Sequence, residues 1–141
     1  MTRTLVFTDE PIAAVGLASA LAADKDLMLA RVFDDPTEIA HITETARADL
    51  LLLDLASGVT GAQIEDVRRR APRCKIICWA RSLPFEMGSH LLKLGVQGIL
   101  PKTMTRHLLC SYLRRIAGGE QCIDRSLFAP APAHSNVMIS V

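Results

Sequence analysis

Four consecutive leucines and an aspartate, at residues 50–54, constrain the fold of this chain more than any other stretch. The run is too short for a helix and shows no apolar–polar alternation, so it predicts a strand that is covered on both faces. Asp54 ends this strand, and Ala56-Ser57-Gly58 then continues as a loop. An isolated aspartate at such a point more often serves the turn than a chemical step. The rest of the sequence therefore has to decide the role of Asp54.

Composition indicates one compact domain and excludes several classes of protein. The chain has 141 residues, of which 50% are hydrophobic and 22% are charged, enough for a sizeable core. The net charge of +1 gives no basic excess for binding nucleic acid or a membrane surface. No signal peptide or membrane span is visible, which predicts a cytoplasmic protein without a membrane partner. The four cysteines are interpreted as free thiols in a reducing compartment.

Strand-like and helix-like stretches alternate along residues 1–127. The predicted strands are residues 4–7, 27–33, 50–54, 74–79 and 98–100. The predicted helices are residues 12–23, 36–47 and 62–70, a helix ending at Leu94 that Gly88 interrupts, and a last helix between Thr105 and Gly118. Such alternation predicts an α/β fold with a doubly wound, five-stranded parallel sheet. Residues 128–141, rich in Pro and Ala, are predicted to be a linker or a tail after the domain of residues 1–127.

In sheets of this kind, ligands bind outside the carboxyl ends of the strands. The predicted residues at that edge are Thr8, Asp9, Asp54, Ala56, Trp79, Ala80 and Lys102. Two of their side chains are carboxylates and one is an ammonium. The sequence therefore predicts a compact acidic pocket with one cationic arm.

Two carboxylates at short range repel unless a cation or a proton lies between them, and their hard oxygen atoms suit Mg²⁺. Phosphoryl transfer depends mainly on placement and charge neutralisation. In this interpretation Asp54 accepts a phosphoryl group, Asp9 holds the metal and Lys102 balances the added charge. Lys102 could also be an ordinary exposed lysine, but its place after the fifth strand favours a functional role.

Four motifs in this order resemble the receiver domain of two-component response regulators. They are Thr8-Asp9-Glu10-Pro11, Leu51-Leu52-Leu53-Asp54, Ile76-Ile77-Cys78-Trp79-Ala80 and the stretch from Gly95 to Lys102. The resemblance covers nearly all of residues 1–127. It points to the LuxR/NarL branch, because residues 116–120, followed by Ser126-Leu127, are similar to the way that branch leaves its last receiver helix.

This resemblance implies a flavodoxin-like, CheY-like sheet with strand order 2-1-3-4-5. It also implies phosphorylation of Asp54 by a sensor histidine kinase, with Lys102 at the site and Mg²⁺ held by Asp9, Asp54 and Ala56. A homodimer is expected through helix 4, strand 5 and helix 5, or through helices 1 and 5. Control of transcription would need a helix-turn-helix DNA-binding domain that this chain lacks and to which residues 128–141 would lead.

The chain departs from the family pattern at three positions. Thr8 replaces the first acid, which predicts weaker Mg²⁺ binding. Trp79 stands where the family has a small hydroxyl residue, and an indole can donate only through its ring N–H. Ile99 stands where a switching Tyr or Phe is common. Trp79 and Ile99 are therefore the switch positions, and switching is expected to be altered or lost.

Three functions are compatible with this pattern. The leading hypothesis is a receiver domain that accepts a phosphoryl group on Asp54 and regulates transcription. The alternative is a pseudo-receiver that is never phosphorylated and acts in dimerisation or docking. A small phosphohydrolase with Asp54 as nucleophile is disfavoured, because such enzymes usually carry a second acid where this chain has Ala56. The chain is therefore not expected to be an enzyme.

Overall fold

A computed structural model describes residues 1–129 of the chain. They form a parallel sheet of strand order β2-β1-β3-β4-β5-β6, with helices on both faces. The strands are β1 (Thr2–Phe7), β2 (Leu27–Phe33), β3 (Leu50–Asp54), β4 (Lys75–Ala80), β5 (Gly98–Pro101) and β6 (Cys122–Ile123). The helices are α1 (Pro11–Ala22), α2 (Ile39–Thr45), α3 (Gly61–Arg70), α4 (Phe85–Lys93) and α5 (Arg106–Ala117).

The predicted fold class and the order of the first five strands are confirmed, but the number of strands is wrong. A sixth strand, β6, pairs with β5 through Gly98↔Cys122 and Ile99↔Ile123. Its backbone bonds join Cys122 N to Gln97 O and Asp124 N to Ile99 O, each at 2.9 Å. A strand of two residues is too short to show any periodicity, so the sequence carries no signal for it.

The leucine run forms β3 with the predicted bounds, and its four leucines are fully buried. Leu51 and Leu53 pack in the part of the core that α2, α3 and α4 cover, whereas Leu50 and Leu52 pack in the part under α1 and α5. The prediction of a strand covered on both faces is therefore confirmed. The central position of β3 places its end, Asp54, in the middle of the carboxyl edge of the sheet.

Polar side chains cap the starts of two helices, and a third helix begins later than predicted. Thr60 forms a capping box with Gln63, and Thr105 caps α5. Asp35 caps a short 3₁₀ turn, Pro36–Glu38, so that α2 begins only at Ile39. In α1, the apolar residues Ile12 and Val15 are 89% and 71% exposed.

Gly88 does not interrupt α4, contrary to the prediction. The helix runs through it, and a Cβ atom at this position would lie 2.8 Å from the ring of Phe128. The glycine therefore serves the close approach of Phe128. Phe128 forms a parallel bridge with Leu83, and Ala129 N donates to Leu83 O at 2.7 Å. The first two residues of the predicted linker or tail thus contact the domain, and its remainder, residues 130–141, lies outside the described residues.

Two further features are the state of the cysteines and the character of the helices. All four cysteines, Cys74, Cys78, Cys110 and Cys122, are buried free thiols. Across residues 1–129, no helix has the length and apolar character needed to cross a bilayer.

Candidate functional site

Asp54 lies at the carboxyl edge of the sheet, where the loops after β1 and β5 meet the end of β3. Its side chain is fully buried. Trp79 is its register partner on β4. Thr8 and Lys102, which are 46 and 48 residues away from Asp54 in the chain, both contact its carboxylate. They meet there because the carboxyl ends of parallel strands lie at one edge of the sheet.

Lys102 is the direct partner of Asp54. Its Nζ atom lies 2.7 Å from Asp54 Oδ1 and 3.2 Å from Glu10 Oε1. The side chains of Lys102 and Asp54 are only 4% and 0% exposed. The Lys102 backbone N–H donates to Ala80 O at 2.9 Å, which ties the loop after β5 to the end of β4. The alternative that Lys102 is an ordinary exposed lysine is therefore wrong.

Two further donors complete the surroundings of the Asp54 carboxylate. Thr8 Oγ1 donates to Oδ2 at 2.7 Å, and the Ala56 backbone N–H donates to Oδ1 at 3.0 Å. Burial by itself raises the pKa of Asp54. The hydrogen bonds from Lys102, Thr8 and Ala56, together with the charge of Lys102, outweigh burial and hold this pKa below the ordinary value for aspartate. Asp54 is therefore held as a carboxylate.

Asp9 does not join this network directly. Its side chain is exposed, and its Oδ1 atom accepts a hydrogen bond of 2.8 Å from the hydroxyl of Ser57. The Asp9 backbone N–H donates to the same Ser57 oxygen at 3.0 Å. Ser57 thus connects the loop after β1 to the loop after β3. No hydrogen bond joins the Asp9 and Asp54 side chains directly, and their shared role at one site stays a prediction.

Mg²⁺ is usually bound by only one or two protein carboxylates together with waters, so its binding by Asp9 and Asp54 stays a prediction. The two predicted carboxylate ligands have different partners, and Lys102 already neutralises one of them. In the described part of the chain, no three side chains among His, Cys, Asp and Glu come together as a metal-binding group. Thr8, which replaces an acid of the family pattern, fills the place beside Asp54 with a neutral hydroxyl. Ala56 contributes its backbone N–H to Asp54, and its predicted role as a metal ligand stays a prediction.

The two predicted switch residues lie on opposite faces of the sheet. Trp79 is 8% exposed and packs with Leu100 and Leu109 under α1 and α5. Ile99 is fully buried in the other part of the core. Lys102 Nζ lies 5.1 Å from the centroid of the Trp79 ring, within the range of a cation–π contact. Trp79 thus joins the core to the charged site, whereas Ile99 contributes only to the core.

Sequence reasoning missed the contacts that Thr8, Glu10 and Ser57 make. Thr8 was placed at the correct strand end, but the sequence does not show that its hydroxyl reaches Asp54. Glu10 follows the predicted acid directly, and its contact with Lys102 depends on the path of the loop after β1. Ser57 lies three residues after Asp54, in a 3₁₀ turn (Leu55–Ser57) that carried no sequence signal.

No protein-family model matches the chain. Among curated proteins, it is similar to the transcriptional regulatory protein ComA of Bacillus subtilis, with 25% identity over 132 residues. The match covers 91% of this chain and 62% of ComA, so the chain spans less than two thirds of the length of that relative.

Solved structures of receiver domains have the same fold. The signal receiver domain of the response regulator NarL from Mycobacterium tuberculosis aligns with a TM-score of 0.77 and 23% identity, over 84% of this chain and 98% of that one. The isolated receiver domain of RcsB from Salmonella enterica, in the presence of the phosphomimetic BeF3⁻, aligns with a TM-score of 0.79 and 21% identity, over 89% and 95% of the two chains. The chain has the fold of a response-regulator receiver domain, and the predicted resemblance to the LuxR/NarL branch is confirmed.

Proposed function

We propose that this chain is the receiver domain of a two-component response regulator, in which Asp54 accepts a phosphoryl group from a sensor histidine kinase. The observation that carries the proposal is the buried pair of Asp54 and Lys102, 2.7 Å apart at the carboxyl edge of the sheet. A carboxylate nucleophile, a fixed ammonium group and a divalent cation are sufficient for phosphoryl transfer, and we expect the reaction to need Mg²⁺, which Asp9 and Asp54 would hold.

The proposed reaction moves one phosphoryl group. An oxygen of Asp54 forms a bond to phosphorus, while the bond from phosphorus to the donor breaks and its electron pair leaves with the donor. With an acyl phosphate the leaving group is a carboxylate, so no proton has to be transferred. Lys102 donates hydrogen bonds at the reacting oxygens and balances the charge that the phosphoryl group adds. The product is an aspartyl phosphate at position 54.

The closed state of the site determines how fast this reaction runs. Asp54 is fully buried, and both of its oxygens accept hydrogen bonds. A donor therefore reaches Asp54 only when the surrounding loops open. We expect slow labelling by small donors and faster labelling by a kinase that opens the loops.

The output is proposed to be control of transcription through an attached DNA-binding domain. The name of ComA, a transcriptional regulatory protein longer than this chain, supports this proposal. A homodimer is proposed through α1 and α5, where Ile12, Val15 and Leu108 are 89%, 71% and 45% exposed. The face of α4, β5 and α5 is the alternative, since Phe85 and Met87 on α4 are 45% and 42% exposed.

A second candidate function is a pseudo-receiver that docks or dimerises without phosphorylation. Two contacts favour it. Thr8 occupies Asp54 Oδ2 with a neutral hydroxyl, and Trp79 packs in the core in place of a small hydroxyl residue that follows a phosphoryl group. In this function the Asp54–Lys102 pair holds the loops in one fixed arrangement. Turnover of a phosphorylated substrate is expected in neither case.

Incubation with acetyl phosphate and Mg²⁺, followed by intact-mass measurement, tests the two candidates. The receiver function predicts a mass increase of one phosphoryl group in the natural chain and none in Asp54→Asn. Asp26→Asn, which removes an exposed carboxylate outside the site, is the matched control and should label normally. Equal labelling of Asp54→Asn and the natural chain would overturn the assignment. No labelling by acetyl phosphate or by a histidine kinase would favour the pseudo-receiver.

A further inference from the structure

A small cationic cavity opens beside the Asp54–Lys102 pair, between the loops after β3 and β4. Its volume is about 290 Å³. The lining includes Arg81, Ser82 and Lys102, with Ala56 and Met87 on its walls. Two of the lining residues are cations, and no carboxylate of residues 1–129 lines it. The cavity therefore suits an anion.

A separate cavity of about 250 Å³, on the β1 side of the pair, has the opposite character. It is lined by Asp9, Glu10 and Asp34 together with Thr8, and no Lys or Arg of the described residues lines it. The buried ion pair thus separates an acidic cavity from a cationic one. An anion that approaches Asp54 is repelled on the β1 side and attracted on the side of Arg81.

The cationic cavity has unused hydrogen-bond donors. Lys102 has three N–H donors, of which Asp54 and Glu10 accept two. Arg81 is exposed, and across residues 1–129 it forms an ion pair with no carboxylate. Its guanidinium group offers five donors in a planar fork that matches phosphate oxygens. The hydroxyl of Ser82 stands beside it as a further donor.

We propose that Arg81, with Lys102 and Ser82, binds the phosphoryl group of the incoming donor in this cavity. The inference rests on the proposed function and adds a binding residue to it. Trp79 occupies the position of a small hydroxyl residue but packs in the core under α1 and α5 and does not line the cavity. Arg81 and Ser82, two and three residues further along the chain, supply the donors that Trp79 does not.

Inorganic phosphate is the probe for a direct binding test on the whole chain. Trp79 is the one tryptophan of the sequence and lies 5.1 Å from Lys102 Nζ, so its fluorescence reports on the site. Phosphate is titrated at constant ionic strength, with calorimetry as a second readout. We expect saturable binding that Arg81→Ala weakens about tenfold, the effect of losing a charged hydrogen bond, and that Arg81→Lys weakens less.

Arg73→Ala is the matched control, because Arg73 is also exposed but precedes β4, at the opposite edge of the sheet. The inference is overturned if phosphate does not bind saturably, or if Arg81→Ala and Arg73→Ala bind it equally well. Labelling of Asp54 by acetyl phosphate distinguishes the two proposals. Phosphate binding that needs Arg81, without labelling of Asp54 by either acetyl phosphate or a histidine kinase, supports the cavity and refutes the phosphoacceptor. Labelling of Arg81→Ala at the natural rate, with unchanged phosphate binding, refutes the cavity alone.

Discussion

Lys102 Nζ and Asp54 Oδ1 lie 2.7 Å apart in a pair whose side chains are almost completely removed from solvent. Burial of two charges carries a desolvation cost that the attraction between them offsets only when other hydrogen bonds also satisfy them. Thr8, Ala56 and Glu10 supply those bonds. Well-packed apolar residues often stabilise such a position equally well or better. The pair is therefore better explained by a chemical role than by stability.

Removal of Lys102 alone should destabilise the fold strongly. Lys102→Met leaves the Asp54 carboxylate buried without a cation, and we expect a loss of about 3–5 kcal/mol in the free energy of unfolding. Urea denaturation at neutral pH measures it, and the Lys102→Met/Asp54→Asn double variant should lose less than the sum of the single changes. Arg69→Ala, which removes the exposed ion pair with Asp66, should cost at most about 1 kcal/mol. Equal losses for Lys102→Met and Arg69→Ala would contradict the account.

Stability should depend on pH through Asp54. Its pKa is lowered in the folded chain, so the unfolded chain binds the proton at a higher pH than the folded chain does. The carboxyl therefore stabilises the fold above the ordinary aspartate pKa of about 4, and this contribution disappears as the pH falls from there through the lowered pKa. The difference in unfolding free energy between the natural chain and Asp54→Asn should shrink in that range. A difference that stays constant down to acid unfolding would refute the lowered pKa.

An added acid at position 8 should create a cation site. Thr8 is 3% exposed and contacts Asp54 directly, so Thr8→Asp places a third carboxylate near Asp9 and Asp54. Like charges should destabilise this variant without metal, and Mg²⁺ should raise its Tm by mass action. Thr8→Val removes the hydroxyl without adding charge and serves as the control. Thermal unfolding measures the Tm of both variants with and without Mg²⁺. An equal Mg²⁺-induced change in Tm for Thr8→Asp and Thr8→Val would count against the prediction.

The small hydroxyl residue of the family pattern should not be tolerated at position 79 without loss. Trp79→Thr removes a buried ring that packs with Leu100 and Leu109, and we expect a cost of about 3–5 kcal/mol from the lost burial and the cavity. Trp79→Phe keeps a ring under Lys102 and should cost less. Circular dichroism follows unfolding, since the fluorophore is lost in both variants. Equal stability of the two variants would show that the ring does not pack as described.

Much of the fold follows from the sequence, because buried parallel strands are short apolar runs between amphipathic helices. The run at Leu50–Asp54 predicted β3 with its observed bounds. Strand β6 was missed, because a strand of two residues is too short to show any periodicity. Gly88 was misinterpreted, since nothing local to α4 shows that the ring of Phe128, forty residues later, packs against it.

The candidate site was predictable in its location but not in its contacts. The strand-end rule brought Asp54 and Lys102 together, as observed. Thr8 and Asp9 follow the end of β1, where the strand period no longer fixes the direction of a side chain, and the structure places the Thr8 hydroxyl on Asp54 and the Asp9 carboxylate on Ser57. The face of the sheet on which each switch residue lies depends on the register between β4 and β5. Ile99 pairs with Cys78 and therefore shares its face, whereas Trp79 pairs with Leu100.

The most direct test of the central claim locates the phosphoryl group on the chain. After incubation with acetyl phosphate and Mg²⁺, borohydride reduction converts an aspartyl phosphate to homoserine and releases phosphate, and peptide mass spectrometry then identifies the converted residue. The account predicts homoserine at position 54. Conversion at Asp9 or another aspartate instead, or no conversion at position 54 when the intact mass shows labelling, would contradict it.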